Sequence, residues 1–134
     1  MSKAAQNMKP VADPVFAAIE ARKAAVIARQ PVSDKYMITS FDAPEWNLIV
    51  IETEALFAAE RAVEIELTNI KPTSVAGAMA LLVYYTEQTD RGHVWIGGDL
   101  IDEDAGDTEP RSFEACLIRS VAASLAKIGT AAAA

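Results

Sequence analysis

The chain has 134 residues, 51% of them hydrophobic, with a net charge of −7 and a pI near 4.6. That length holds one domain with a real core rather than two, and the apolar fraction excludes a globally disordered chain. The acidic balance, without a basic stripe, speaks against nucleic acid, whose binding rests on neutralising phosphates with Lys and Arg, and against anionic membrane surfaces.

Cys116 is the single cysteine, so the chain can form no internal disulfide and no thiolate zinc cluster. Residues 1–9 lack the apolar stretch of a signal peptide, and no uncharged run reaches the roughly 20 residues of a membrane span. A cytoplasmic protein is expected, with 1–12 as a flexible N-terminal segment, 13–129 as one helical domain and 130–134 as a tail.

Asp13-Pro14 opens the first predicted helix, because Asp caps and Pro suits the first helical position. Phe16, Ile19, Lys23, Val26 and Ile27 recur at helical spacing, and Gln30-Pro31 ends the helix near residue 29. Tyr36-Met37-Ile38-Thr39 has β-forming composition and reads equally as a loop. Asp42-Ala43-Pro44-Glu45 starts a second helix over 44–69, expected to be the longest. Ile49, Leu56, Val63 and Ile70 repeat on it every seven residues, and a second apolar face carries Ile51, Ala55, Ala58, Ala62 and Ile65. A helix apolar on two faces belongs in the middle of a bundle.

Lys71-Pro72 breaks that helix, and Thr73 or Ser74 caps a third over 74–88. From Ser74 to Thr86 it carries no charged side chain, so it must be covered on nearly every side. Residues 89–111 form one long irregular, acidic stretch with Gly92, Gly97, Gly98, Gly106 and Pro110, within which 93–96 reads as a short extended piece. The last helix covers 112–128, with Phe113, Cys116, Leu117, Val121, Leu125 and Ile128 on one side and Gly129 as its C-cap.

Four sets of residues are candidates for function. Ala76, Gly77, Ala80 and Tyr84 lie along one side of the third helix. Glycine inside a helix costs about 1 kcal/mol against alanine and so marks a close approach, either to a partner subunit or within the chain. Glu60 falls in the seam of Ile49, Leu56 and Val63, where a carboxylate must be paired or neutralised. An ion pair with Arg22, Lys23 or Arg29 of the first helix is preferred to a catalytic role. Glu64 lies one turn on, yet without Glu-x-x-His spacing a di-metal site is not expected. Asp99, Asp102, Glu103, Asp104, Asp107 and Glu109 suggest a hard-cation loop, but the glycine and the closing glutamate of a calcium loop are out of place. His93 is the sole histidine and could serve as a base beside Ser112 or Cys116, although Cys116 sits on an apolar helix side where cysteines are inert. No phosphate-binding loop, zinc-protease motif or nucleophile elbow is present, and no cofactor is expected.

The segment Asp13-Pro14-Val15-Phe16-Ala17-Ala18-Ile19-Glu20-Ala21-Arg22-Lys23 resembles the opening of a family of short proteins common in rhizobia and related alphaproteobacteria. Pro72-Thr73-Ser74-Val75-Ala76-Gly77, with Leu81-Leu82 and Tyr84-Tyr85, is similar to the same family's Pro-Thr-Thr-x-Ala-Gly segment. The two segments cover about a fifth of the chain. The family's frequent histidine is Arg22 here, and residues 92–110 depart from its pattern. Members have no established activity, so the resemblance implies a helical fold and no catalytic residues.

These readings converge on an all-α bundle with a long central hairpin of the second and third helices. The expected function is non-catalytic self-association and contact with another protein, as a homodimer or larger oligomer. The rival is a small acid/base or metal-dependent enzyme using Glu60, Glu64 and His93, which requires a concave pocket. A transcriptional regulator would need a basic recognition helix that the sequence lacks.

Overall fold

The structure, a computed structural model, describes residues 12–92, 95, 108–109 and 112–133, with backbone alone for 131–133. It is all-α. Four helices follow one another: α1 (Pro14–Ile38), α2 (Trp46–Asn69), α3 (Val75–Asp90) and α4 (Phe113–Ala133), with no strand among the described residues. The described helices include none long and apolar enough to cross a membrane.

Local chemistry explains most of the helix starts. Asp13 caps α1, its Oδ1 accepting from the Val15 amide at 3.1 Å, with Pro14 in the first turn. Ser74 caps α3, its hydroxyl oxygen accepting from the Gly77 amide at 3.0 Å. Ser112 does the same for α4 through the Ala115 amide at 3.2 Å. Asp42 does not cap α2. Its carboxylate takes the Ser40 hydroxyl instead, and the helix begins at Trp46 behind Glu45 with no side-chain cap.

Two helix ends differ from the sequence expectation. α1 does not stop at Gln30-Pro31 but runs through Pro31 for 25 residues, one more than α2. Proline removes the bond to the carbonyl four residues back, here that of Ile27. Ile27 and Pro31 are both exposed, so that carbonyl lies on the side where solvent replaces the bond. Beyond it, Val32 is buried and Tyr36 stacks on Trp46 with ring centroids 5.0 Å apart, which ties the last turns of α1 to α2. At the other end α4 passes Gly129, which has no positive φ and no neighbour that a side chain would meet. It runs on into alanines, the best helix formers.

The helical pairing also departs from the expectation. The hairpin is made by α1 and α2, joined by a short turn, whereas no Cα atom of α2 comes within 8 Å of one in α3 among the described residues. α3 packs on α1, and α4 packs on α2 and α3. The reason lies at the start of α3, where Asp13 binds the chain entering that helix and lays α3 beside α1 rather than back along α2.

The molecule therefore has a four-helix body and a two-helix arm. The core of the body combines Val15, Ala18 and Ile19 of α1 and Leu67 of α2 with Ala78, Leu81 and Tyr84 of α3 and Phe113, Leu117 and Val121 of α4. Between residues 23 and 59 only Val32, Ile49 and Thr53 are buried. There α1 and α2 cover each other and nothing else covers them among the described residues.

Candidate functional site

The long helices place charged side chains at the seam between body and arm. Glu60 and Glu64 stand one turn apart on the face of α2 that meets α1, and Arg22 and Arg29 stand two turns apart on the facing side of α1. Arg22 donates to Glu64 Oε1 through Nε at 3.2 Å and Nη2 at 3.1 Å. Its Nη1 donates to the Tyr84 hydroxyl at 2.9 Å and to Gln88 Oε1 at 3.1 Å. Arg29 donates to both oxygens of Glu60, through Nε and, at 3.4 Å, through Nη2. Arg22 Nη2 also stands 4.0 Å from Glu60 Oε1 and so links the two pairs.

This ladder is almost dry. Glu60 and Glu64 have no exposed surface and Arg22 is 1% exposed. The Arg22 guanidinium lies 3.9 Å over the Trp95 ring, which also stacks with Tyr85 and with Phe113. Arg29 lies 4.8 Å over Phe57. Guanidinium suits this role because it is planar, weakly hydrated and stacks on aromatic faces while its edge binds carboxylate. Two positive and two negative charges cancel, which removes most of the cost of burying them.

A second polar node joins the start of α1 to the start of α3. Asp13 Oδ2 accepts from the Thr73 amide at 3.0 Å, the Ser74 amide at 2.9 Å and the Ser74 hydroxyl at 2.7 Å, while Oδ1 caps α1. One carboxylate thus serves two helix N-termini, where amides and dipoles both favour negative charge. Burial alone would raise its pKa. The bonds from the Ser74 hydroxyl and the Val15, Thr73 and Ser74 amides outweigh that and hold it below the ordinary 3.8. Gly77 is buried directly against this carboxylate, and a Cβ built there would lie 1.9 Å from Asp13 Oδ2.

The candidates from the sequence thus fall into different places. Glu60 is held by first-helix arginines, as its position in the seam required. Glu64 is equally buried and is bound by Arg22, which also reaches Tyr84 and Gln88. Gly77 is buried against Asp13 and Tyr84 against Arg22, while Ala76 is exposed and Ala80 half-buried. Cys116 is buried beside the core. His93 and the acidic positions Asp99, Asp102, Glu103, Asp104 and Asp107 lie outside the described residues, and Glu109 is exposed. Among the described residues no three His, Cys, Asp or Glu side chains are grouped to hold a metal.

Sequence reasoning missed the Asp13–Ser74–Gly77 node and the Tyr84, Gln88 and Trp95 contacts to Arg22. The signal for the first was present, since two strong helix-start motifs and an unexplained helix glycine occur in one chain. Nothing local says that they meet.

Chemically, the ladder offers little to a substrate. Each glutamate is occupied by an arginine and has no exposed surface of its own. The fold does form an open groove of about 380 Å³, but elsewhere, between α4 and the α2–α3 connection, lined by Lys71, Pro72, Thr73, Ser124, Lys127 and Ile128. No protein-family model, curated protein or solved structure matches this chain.

Proposed function

We propose that the protein is a non-catalytic, self-associating helical module that works through contacts with other protein chains, a second copy first among them. One observation carries this reading: among the described residues, Glu60 and Glu64, the carboxylates an enzyme would use, are turned inward and paired with arginines, while large apolar side chains are turned out. Met37, Ile38, Phe41, Leu48 and Ile51 are between 64% and 85% exposed on the arm, whereas Arg22, Glu60 and Glu64 are sealed. Soluble chains rarely leave so much apolar surface together without a partner for it.

The enzyme reading needs Glu60 or Glu64 to exchange protons or hold a metal. To do so either residue must leave its arginine and reach solvent, and the geometry gives no support to that. We propose membership of the rhizobial-type family on the residue pattern of the two segments alone; in this chain they meet at Asp13, Ser74 and Gly77 and act as a structural clasp. A role away from nucleic acid fits the net charge of −7.

Sedimentation velocity of the full chain at tens of micromolar tests the functional reading, since a working self-association should be populated there. A dimer or larger species is expected. A monomer throughout that range would refute self-association.

A further inference from the structure

The groove between α4 and the α2–α3 connection is walled by side chains that neither the core nor the charged ladder uses. Ser120 of α4 donates its hydroxyl to the Ile70 carbonyl at 3.3 Å and so fastens the helix to that connection. Ser124 and Ile128 follow one and two turns later on the same side of α4, and with Ala123 and Pro72 they line the groove. Its volume of about 380 Å³ lies toward the lower end of the roughly 300–1,000 Å³ of small-molecule sites. That is room for one small molecule.

Two properties set the groove apart from the rest of the surface. Thr68, Thr86 and Thr130 each return a hydroxyl to the carbonyl four residues back. Ser124 does not: it is 6% exposed, lines the opening and makes no hydrogen bond among the described residues. A hydroxyl so nearly buried is costly without a partner, and an acceptor entering the groove would supply one. The second property is charge. Lys71 on the connection and Lys127 on α4 are exposed, and neither forms an ion pair among the described residues. No Asp or Glu among the described residues lines the groove, in a chain with 19 acidic and 12 basic residues. The groove is therefore positive on a negative molecule.

We propose that this groove binds a small aliphatic monocarboxylate. The carboxylate sits between the Lys71 and Lys127 ammonium groups and accepts a hydrogen bond from the Ser124 hydroxyl. The alkyl chain lies on Pro72, Ala123 and Ile128. A free anion such as phosphate fits less well, because it would draw on backbone amides. Those at the start of α3 are already taken: Asp13 accepts from the Thr73 and Ser74 amides, and the Ser74 hydroxyl from the Gly77 amide. A nucleotide or aromatic acid would need a ring to stack on, and no aromatic side chain among the described residues lines the groove. Binding of this kind requires no catalysis and does not rest on self-association.

The test is a proton–nitrogen correlation NMR titration of the full chain with sodium octanoate, with acetate and inorganic phosphate as comparison ligands. Octanoate should shift the Lys71, Ser124, Lys127 and Ile128 amides and saturate with a Kd at or below about 1 mM. Acetate, which lacks the chain, should bind at least about 10-fold more weakly. Lys71→Gln combined with Lys127→Gln, both at exposed positions, should weaken octanoate by about 10-fold while the rest of the spectrum is unchanged. Ser124→Ala should weaken it by about 10-fold as well. Phosphate bound as tightly as octanoate, or full affinity surviving in the double lysine variant, would overturn the assignment. So would octanoate shifts that have not begun to saturate by about 10 mM, or that centre on Met37, Ile38 and Phe41, the mark of association with exposed apolar side chains in general.

Discussion

Gly77→Ala is the smallest change that interrogates the clasp between α1 and α3. In an ordinary helix interior this substitution stabilises by about 1 kcal/mol through backbone entropy. Here the new methyl carbon would lie 1.9 Å from Asp13 Oδ2 and 2.4 Å from its Cγ, far inside contact distance. Asp is too short to swing aside and keep its partners, so the carboxylate must abandon some of the four donors it binds at 2.7–3.1 Å. Losing a cap costs roughly 1 kcal/mol, and each bond from a donor to a charged acceptor contributes roughly 1.5 kcal/mol or more. A loss of about 3–5 kcal/mol against a gain of about 1 leaves a net destabilisation near 2–4 kcal/mol. Urea denaturation followed at 222 nm measures it at pH 7. The decisive comparison is Gly77→Ala in an Asp13→Ala background, where the methyl enters vacated space and should be neutral or stabilising. Stabilisation by Gly77→Ala in the wild-type chain, or the same penalty in both backgrounds, would refute the reasoning.

The pH dependence follows from the same carboxylate. The folded pKa of Asp13 is lowered, so its contribution is present above the unfolded-state value near 3.9 and is lost as pH falls through the folded one. The stability difference between wild type and Asp13→Asn should be constant from pH 7 to about 5 and shrink below pH 4, as read by denaturation at each pH. Glu64→Ala should destabilise by about 3 kcal/mol or more, because it leaves the buried Arg22 without its carboxylate, and Glu60→Ala by less, because its partner Arg29 is half-buried and reaches water. A near-neutral effect from Glu64→Ala in chemical denaturation would show that the ladder opens to water. The double change Arg22→Met with Glu64→Leu should cost clearly less than the sum of its single changes, a coupling read from a double-mutant cycle. Thr53→Val should stabilise by about 1 kcal/mol, since the Thr53 hydroxyl is buried with no hydrogen-bond partner among the described residues and valine keeps the shape without it. A loss of stability on thermal unfolding would show that the hydroxyl is satisfied.

Much of the helical skeleton is legible in the sequence because its signals are local. Asp13-Pro14 and Ser74 are caps that act within a few residues of themselves, and the apolar spacing of residues 49–67 reports a helix wherever it ends up. Glu60 in an apolar seam also announces its own need for a cation, and the first helix offered the right candidates. The second apolar face of α2 is equally plain, and Ile51, Ala55, Ala58 and Ala62 on it are exposed.

Tertiary structure decided the rest. Pro31 ends a helix by local rules, yet α1 continues because Val32 and Tyr36 have α2 to pack against and the orphaned carbonyl faces solvent. Gly77 reads as a contact point from sequence, but its neighbour turns out to be Asp13, 64 positions earlier. Arg22 binds groups 42, 62 and 66 positions away. A helical period carries information over a few turns and none over such separations. Which helix lies beside which is set by long-range bonds such as those at Asp13, and until that is fixed a buried charge has a requirement but no partner.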